Sequence, residues 1–254
     1  MRADAIALAL RARSMWEAAD LGTRLVQRYA LSVWGSAWPV FLAVSAIAAA
    51  TLPLGAWAPT LVFGAFRAWM DRTLLFVLAR AALGQHTRFA EVRAAWRSVW
   101  CSQMLLTFFW RPLSPWRTFT QPVYQLEGLN GAPRRARKRQ LLRGQRGPAS
   151  LLTGVMWLVE TAFTFGLLSL IYWFAPPESG EGVLKWLFSG EHNTLTQLLS
   201  FGAQVLAFAL IEPFYVASGF AMYLNRRVEL EAWDIEQDLR RHFAESVSAS
   251  VEAA

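Results

Sequence analysis

Glu160 and Glu212 are nearly the only charges inside two long apolar stretches, Leu151 to Ala175 and Leu195 to Leu224. A carboxylate near the middle of a bilayer costs on the order of a few kcal/mol, so it must be neutral, paired or beside water. Two readings follow. One is an ion or proton site, or a polar pocket for a lipid headgroup. The other is structural, in which Glu160 or Glu212 pairs with Arg67, Arg72 or Arg80 and holds helices in register. Spans this few and this poor in other polar groups favour the structural reading. Arg67, Asp71 and Arg72 complete the set of candidate intramembrane polar residues. Cavity-facing carboxylates would favour transport; carboxylates closed onto arginine would favour a scaffold.

Little else in the chain can do chemistry. His86, His192 and His242 lie far apart and lack ligand spacing, so no metal site is expected. The single cysteine, Cys101, excludes an internal disulfide and reads as a passive thiol. No nucleophile elbow, phosphate loop or HExxH occurs. The sequence therefore predicts no enzyme activity, no catalytic residue and no cofactor. The glycines at 22, 84, 128, 131 and 144 read as turn or packing glycines rather than a nucleotide fingerprint.

Two charged segments could meet partners. Arg134, Arg135, Arg137, Lys138, Arg139, Arg143 and Arg146 form a basic run. Nucleic-acid binding would also need a groove-entering element or stacking aromatics, and the run has neither. It ends just before an apolar stretch, so it reads as a cytoplasmic retention block attracted to anionic lipid. The second segment is C-terminal and carries Arg226, Arg227, Glu231, Trp233, Asp234 and Glu236. Its stripe Leu224, Val228, Ala232, Ile235, Leu239 and Phe243 follows steps of three and four. One apolar and one charged face suit a helix docked on its own bundle or on a partner. Its acidic residues spread around the helix, which argues against a metal site.

These residues need elements to carry them. The chain has 254 residues, 55% of them hydrophobic, and its charge is collected in blocks rather than interleaved. About 20 predominantly apolar residues cross a bilayer as a helix. The fold class expected is all-α: a polytopic membrane protein with about four transmembrane helices and several interfacial amphipathic helices. A capping box at Ser14–Glu17 opens an amphipathic helix over 14–32 whose stripe runs Met15, Ala18, Ala19, Gly22, Leu25, Val26, Tyr29. Residues 33–83 form a first membrane hairpin; the small-residue site Ala48-Ala49-Ala50 is read as part of a retained anchor, not a cleaved signal. Within that hairpin, Trp57 to Met70 is short for a span. It either continues with Thr73 to Leu83 or forms a broken hairpin. Residues 84–149 are a basic cytoplasmic or interfacial segment, in which Phe89, Val92, Trp96, Val99 and Trp100 share a helical face. Residues 150–224 form a second hairpin, and 225–254 a C-terminal cytoplasmic helix and tail.

Lys and Arg mark the cytoplasmic side. Five fall in residues 1–33, fifteen in 67–149 and four in 226–254, against none in 52–59 and only Lys185 in 176–194. Four crossings, with both termini in the cytoplasm, satisfy this pattern.

Several strings are also familiar. Trp16-Glu17-Ala18-Ala19-Asp20-Leu21-Gly22, Leu113-Ser114-Pro115-Trp116-Arg117, Pro122 to Leu129, Pro213 to Phe220 and the run from Leu224-Asn225-Arg226-Arg227 to Trp233-Asp234-Ile235-Glu236 carry the likeness. They resemble a group of uncharacterised proteobacterial multi-span inner-membrane proteins, encoded near a MoxR-type ATPase, a von Willebrand-like domain protein and a transglutaminase-like membrane protein. The resemblance implies a membrane component of a larger assembly and carries no catalytic residue. The function expected is a non-enzymatic subunit or scaffold. Its basic face, residues 84–149 and 225–245, would contact anionic inner-leaflet lipid and other membrane or cytoplasmic proteins, but not nucleic acid. The alternative is a small transporter or lipid-handling protein using Glu160 and Glu212.

Overall fold

The computed structural model describes residues 13–101, 114–173 and 194–231. All regular structure among them is helical. The main elements are α1 (Met15–Arg28), α2 (Ala30–Ala49), α3 (Ala58–Ala81), α4 (Phe89–Ala94), α5 (Arg117–Gln125), α6 (Gly131–Leu142), α7 (Arg146–Trp173) and α8 (Thr194–Glu231). A 3-10 turn, Leu52–Leu54, links α2 to α3, and a π-helical turn, Arg97–Cys101, follows α4.

Three helices are long and apolar enough to cross a membrane, over Ala30–Leu54, Arg146–Leu170 and Gln197–Leu230. The α7 surface shows what solvent it is made for. Trp157, Leu158, Phe165 and Trp173 are all more than half exposed. A contiguous apolar face of that kind would be a liability in water and is ordinary in hydrocarbon. α8, by contrast, is mostly buried and runs through the centre of the molecule.

The short second apolar run is not a broken hairpin. It belongs to one uninterrupted helix, α3, of 24 residues. Arg67, Asp71, Arg72 and Arg80 keep α3 from reading as apolar; Asp71 and Arg72 are buried against other elements, and Arg67 and Arg80 are paired with carboxylates, which explains how the helix tolerates them.

α1 begins as its sequence dictates. Ser14 Oγ accepts from Glu17 N–H and Glu17 Oε2 accepts from Ser14 N–H, both at 3.3 Å. The expected stripe from Met15 to Tyr29 is buried, and α1 packs along α8. The contact is backbone to backbone. A Cβ on Gly22 would lie 2.6 Å from Ser218 N, so only glycine fits there.

The face expected over Phe89 to Trp100 does not survive intact. α4 stops at Ala94 and the π-helical turn changes the helical phase. Val92 and Val99 stay buried, while Trp96 turns outward and is 46% exposed. Trp100 Nε1 donates to Thr73 Oγ1 at 2.9 Å and Trp69 Nε1 to Trp100 O at 3.3 Å, which anchors the turn on α3.

α2, α3 and α8 meet through edge-to-face aromatic pairs: Phe41–Phe208 at 5.3 Å, Phe63–Phe208 at 5.0 Å and Phe63–Phe201 at 5.8 Å. Pro213 interrupts the α8 ladder because it has no N–H to give Ala209 O. Trp34 Nε1 on α2 supplies the missing donor at 3.0 Å.

A buried charge cluster beside a two-chambered cleft

Arg67 and Asp71 stand four residues apart, so they share one face of α3. That face meets Glu160 of α7, Glu212 of α8 and Arg117 at the start of α5. Arg67 Nη2 donates to Glu160 Oε2 and, at 2.9 Å, to Glu212 Oε2. Arg117 Nη2 donates to Glu212 Oε1, and its Nε lies 3.2 Å from Asp71 Oδ2. Asp71, Glu212 and Glu160 are buried, at 0%, 1% and 7% exposure. Each guanidinium also covers a ring, Arg67 over Phe208 and Arg117 over Tyr215, both at 4.9 Å. Four helices are therefore joined through five charged side chains.

The arrangement is asymmetric. Glu212 is held between two arginines. Neither Asp71 oxygen makes a hydrogen bond of good geometry. Arg67 uses only Nη2, and no described residue accepts from its Nη1. Burial alone would lower the Arg117 pKa, but the charges of Asp71 and Glu212 outweigh it and raise it, so this guanidinium stays ionised.

A cleft of two chambers, each about 390 Å³, opens between α3, α7 and α8. Thr60, Arg67, Trp157 and Glu160 border both chambers. One chamber extends past Thr164 and Phe165 to Ser200 and Gln204, and Thr60 Oγ1 donates to Gln204 Oε1 at 3.0 Å. The other passes Gly64 and Met156 to Arg117, Glu212 and Tyr215. Tyr215 and Thr153 hydroxyls lie 2.8 Å apart, and Thr153 also donates to Pro115 O.

The sequence offered three cations for the glutamates, and the structure brings Arg67 to both. Arg80 pairs with Glu91 at 2.7 Å. Arg72 donates Nη2 to Ser98 O at 3.1 Å, on the side of the π-helical turn. Arg117 was not among the expected site residues. The basic residue closing a Ser114-Pro115-Trp116-Arg117 run at a helix start is visible in the sequence, but nothing local shows that α5 folds back onto the spans. Both glutamates answer both tests in the same way: each is paired with arginine and each borders the cleft, Glu160 in both chambers and Glu212 in one.

The basic run becomes α6, the turn after it and the first residue of α7, with α6 docked through buried Leu141 and Leu142. Arg135, Arg139, Arg143 and Arg146 are exposed. Arg137 Nε lies 3.2 Å from Glu127 Oε2. Lys138 and Arg146 approach the Trp116 ring at 5.7 and 5.9 Å. Arg134 is half-buried on the same helix.

At the far end of α8, Arg226 pairs with Glu229 at 2.6 Å and also donates to Arg143 O at 3.1 Å. Arg227, four residues before Glu231, lies 3.9 Å from Glu127 instead, and Tyr223 OH donates to the same carboxylate at 2.5 Å. Glu127 thus gathers α6 and α8 and was missed in the sequence. So was Asn225, whose amide accepts from Arg13 N–H at 3.0 Å and donates to Arg13 O at 2.9 Å. Glu231 closes α8; Trp233, Asp234, Glu236, His192 and His242 lie outside the described residues. His86 packs on Tyr29, and Cys101 is exposed. Among the described residues, no group of three His, Cys, Asp or Glu side chains is placed to hold a metal.

No family model, curated protein or solved structure matches this chain.

Proposed function

We propose that this protein is a non-enzymatic integral subunit, or scaffold, of an assembly in a bacterial inner membrane. The observation that carries this reading is the closed charge cluster. Arg67 and Arg117 bind carboxylates from three helices and tie α5 to the long helices. A buried network of this kind specifies one arrangement of helices more surely than it adds stability. The consequence is a fixed platform in which α6 presents exposed arginines beside the C-terminal end of α8. Four crossings, with α3 as the second and both termini cytoplasmic, place that platform at the inner leaflet. There it meets anionic lipid and the other proteins of the assembly. The resemblance to membrane proteins encoded beside a MoxR-type ATPase supports this kind of partner.

Affinity purification in mild detergent, read by mass spectrometry, tests the proposal. Defined partners are expected with the wild-type chain and are expected to fall away with Arg135→Glu/Arg139→Glu. Neither arginine takes part in an ion pair among the described residues. Recovery of the chain without any specific companion, together with free proteolytic cutting throughout 117–142 in membranes, would remove the scaffold reading.

The cleft favours a second reading, a lipid-handling protein. Glu160 lines both chambers, and α7 is exposed along most of its length.

A further inference from the structure

Three features of the cleft point to one class of ligand. The first is charge. Arg67 reaches Glu160 through Oε2, and no described residue donates to Glu160 Oε1. Glu212 is enclosed by both arginines and Asp71 is fully buried. Glu160 is the member that borders both chambers. A carboxylate oxygen left without a donor in a low-dielectric setting favours a cation beside it.

The second feature is the wall. Trp157 and Phe165 line the cleft and are 64% and 57% exposed. Aromatic faces attract cations and accept an apolar stem equally well. The third is Arg67 Nη1, which has no acceptor among the described residues and belongs to a side chain that is 19% exposed. Arg67 borders both chambers beside Glu160, and a guanidinium suits the phosphate oxygens of an anion adjoining the cation.

We infer that the cleft binds the primary ammonium of an amphipathic amine, with Glu160 as its acceptor and the apolar stem lying along Trp157 and Phe165. An ethanolamine lipid headgroup brings the ammonium to Glu160 and its phosphate to Arg67. A free long-chain amine brings the ammonium alone. Both sources share the recognised group, and each chamber is large enough for a ligand head of this kind. The inference rests on the lipid-handling reading and is independent of the scaffold one.

Native mass spectrometry of the full-length chain released from detergent tests it. The probes are phosphatidylethanolamine, phosphatidylcholine, phosphatidylglycerol and dodecylamine. A charge-assisted hydrogen bond predicts about tenfold greater retention of phosphatidylethanolamine than of the choline lipid, which has no N–H, or the glycerol lipid, which has no cation. Glu160→Gln is expected to abolish that preference. Thr164→Trp, which fills a chamber without touching an ion pair, is expected to reduce retention by a similar factor. If Glu160→Gln does not fold, Thr164→Trp and the wild-type headgroup preference decide the matter. Competition by dodecylamine would identify any amphipathic amine as a ligand; its failure to compete, with the preference intact, would identify the lipid as the source. Equal retention of all three lipids, or preference for phosphatidylglycerol or phosphatidylcholine, overturns the amine proposal and leaves lipid handling standing. Retention of no probe overturns both.

Discussion

Arg67 is the side chain on which α3, α7 and α8 converge, since one Nη2 serves both Glu160 and Glu212. Removing it would leave two carboxylates facing each other with less cation between them. Arg67→Met is therefore expected to destabilise the protein by about 3–5 kcal/mol, the usual cost of stranding buried charge. The measurement is unfolding in mild detergent followed by circular dichroism. Arg67→Met/Glu160→Met removes one charge of each sign and should recover part of that loss, with a positive coupling in the double-mutant cycle. Arg67→Lys should fall between them, because an ammonium is a point charge without a planar fork. Simple additivity across the cycle would show that the two residues do not act as a pair. The residues of this network were legible only in part. An isolated glutamate in an apolar run announces itself by its cost, and so do Arg67 and Asp71. Arg117, Glu127 and Asn225 lie in polar surroundings where such residues are ordinary. Their burial follows from α5 and the chain near residue 13 folding back onto α8, and no local pattern encodes that.

At the scale of helices, α8 depends on what leans against it. Pro213 leaves Ala209 O without its helical donor, and Trp34 Nε1 provides one. Trp34→Phe is expected to cost about 1–3 kcal/mol through that orphaned carbonyl. Trp34→Phe/Pro213→Ala should recover most of it, because alanine restores the N–H; thermal midpoints in detergent read both. Failure of the second change to compensate would sink the explanation. The α1–α8 seam makes a separate prediction. Gly22→Ala puts a Cβ into the Ala217–Ser218 backbone, so it should cost about 1–3 kcal/mol by overpacking. Gly35→Ala, where nothing lies within 4 Å, should be neutral or stabilising. Helix periodicity was readable for α1 because its stripe, cap and packing face all agree. It failed at Trp96 because a π-helical turn resets the phase, and periodicity assumes a constant 3.6 residues per turn. It was ambiguous for α3 because hydropathy penalises charge whether or not a partner neutralises it.

That ambiguity decides the topology of the whole molecule. α3 has 24 residues, or about 36 Å at 1.5 Å per residue, enough to cross a hydrocarbon core of about 30 Å. Composition alone selects three helices, and α3 is not among them. Yet Asp71 and Arg72 are fully buried, and Arg67 is paired to α7 and α8. The energetic objection to a charged span applies to charge facing lipid, and these charges face protein. The two counts differ in an observable way. With four crossings, the turn at 52–59 and the α6 arginines lie on opposite sides of the membrane. With α3 not crossing, they lie on the same side. In a Cys101→Ser background, Ala56→Cys is expected to react with an impermeant maleimide in intact spheroplasts, because Ala56 is exposed in the short loop. Arg135→Cys is expected to react only after permeabilisation. Labelling of both from outside would leave α3 lying along the membrane and turn the α6 arginines away from the cytoplasmic leaflet. That result would withdraw the partner face on which the scaffold proposal depends.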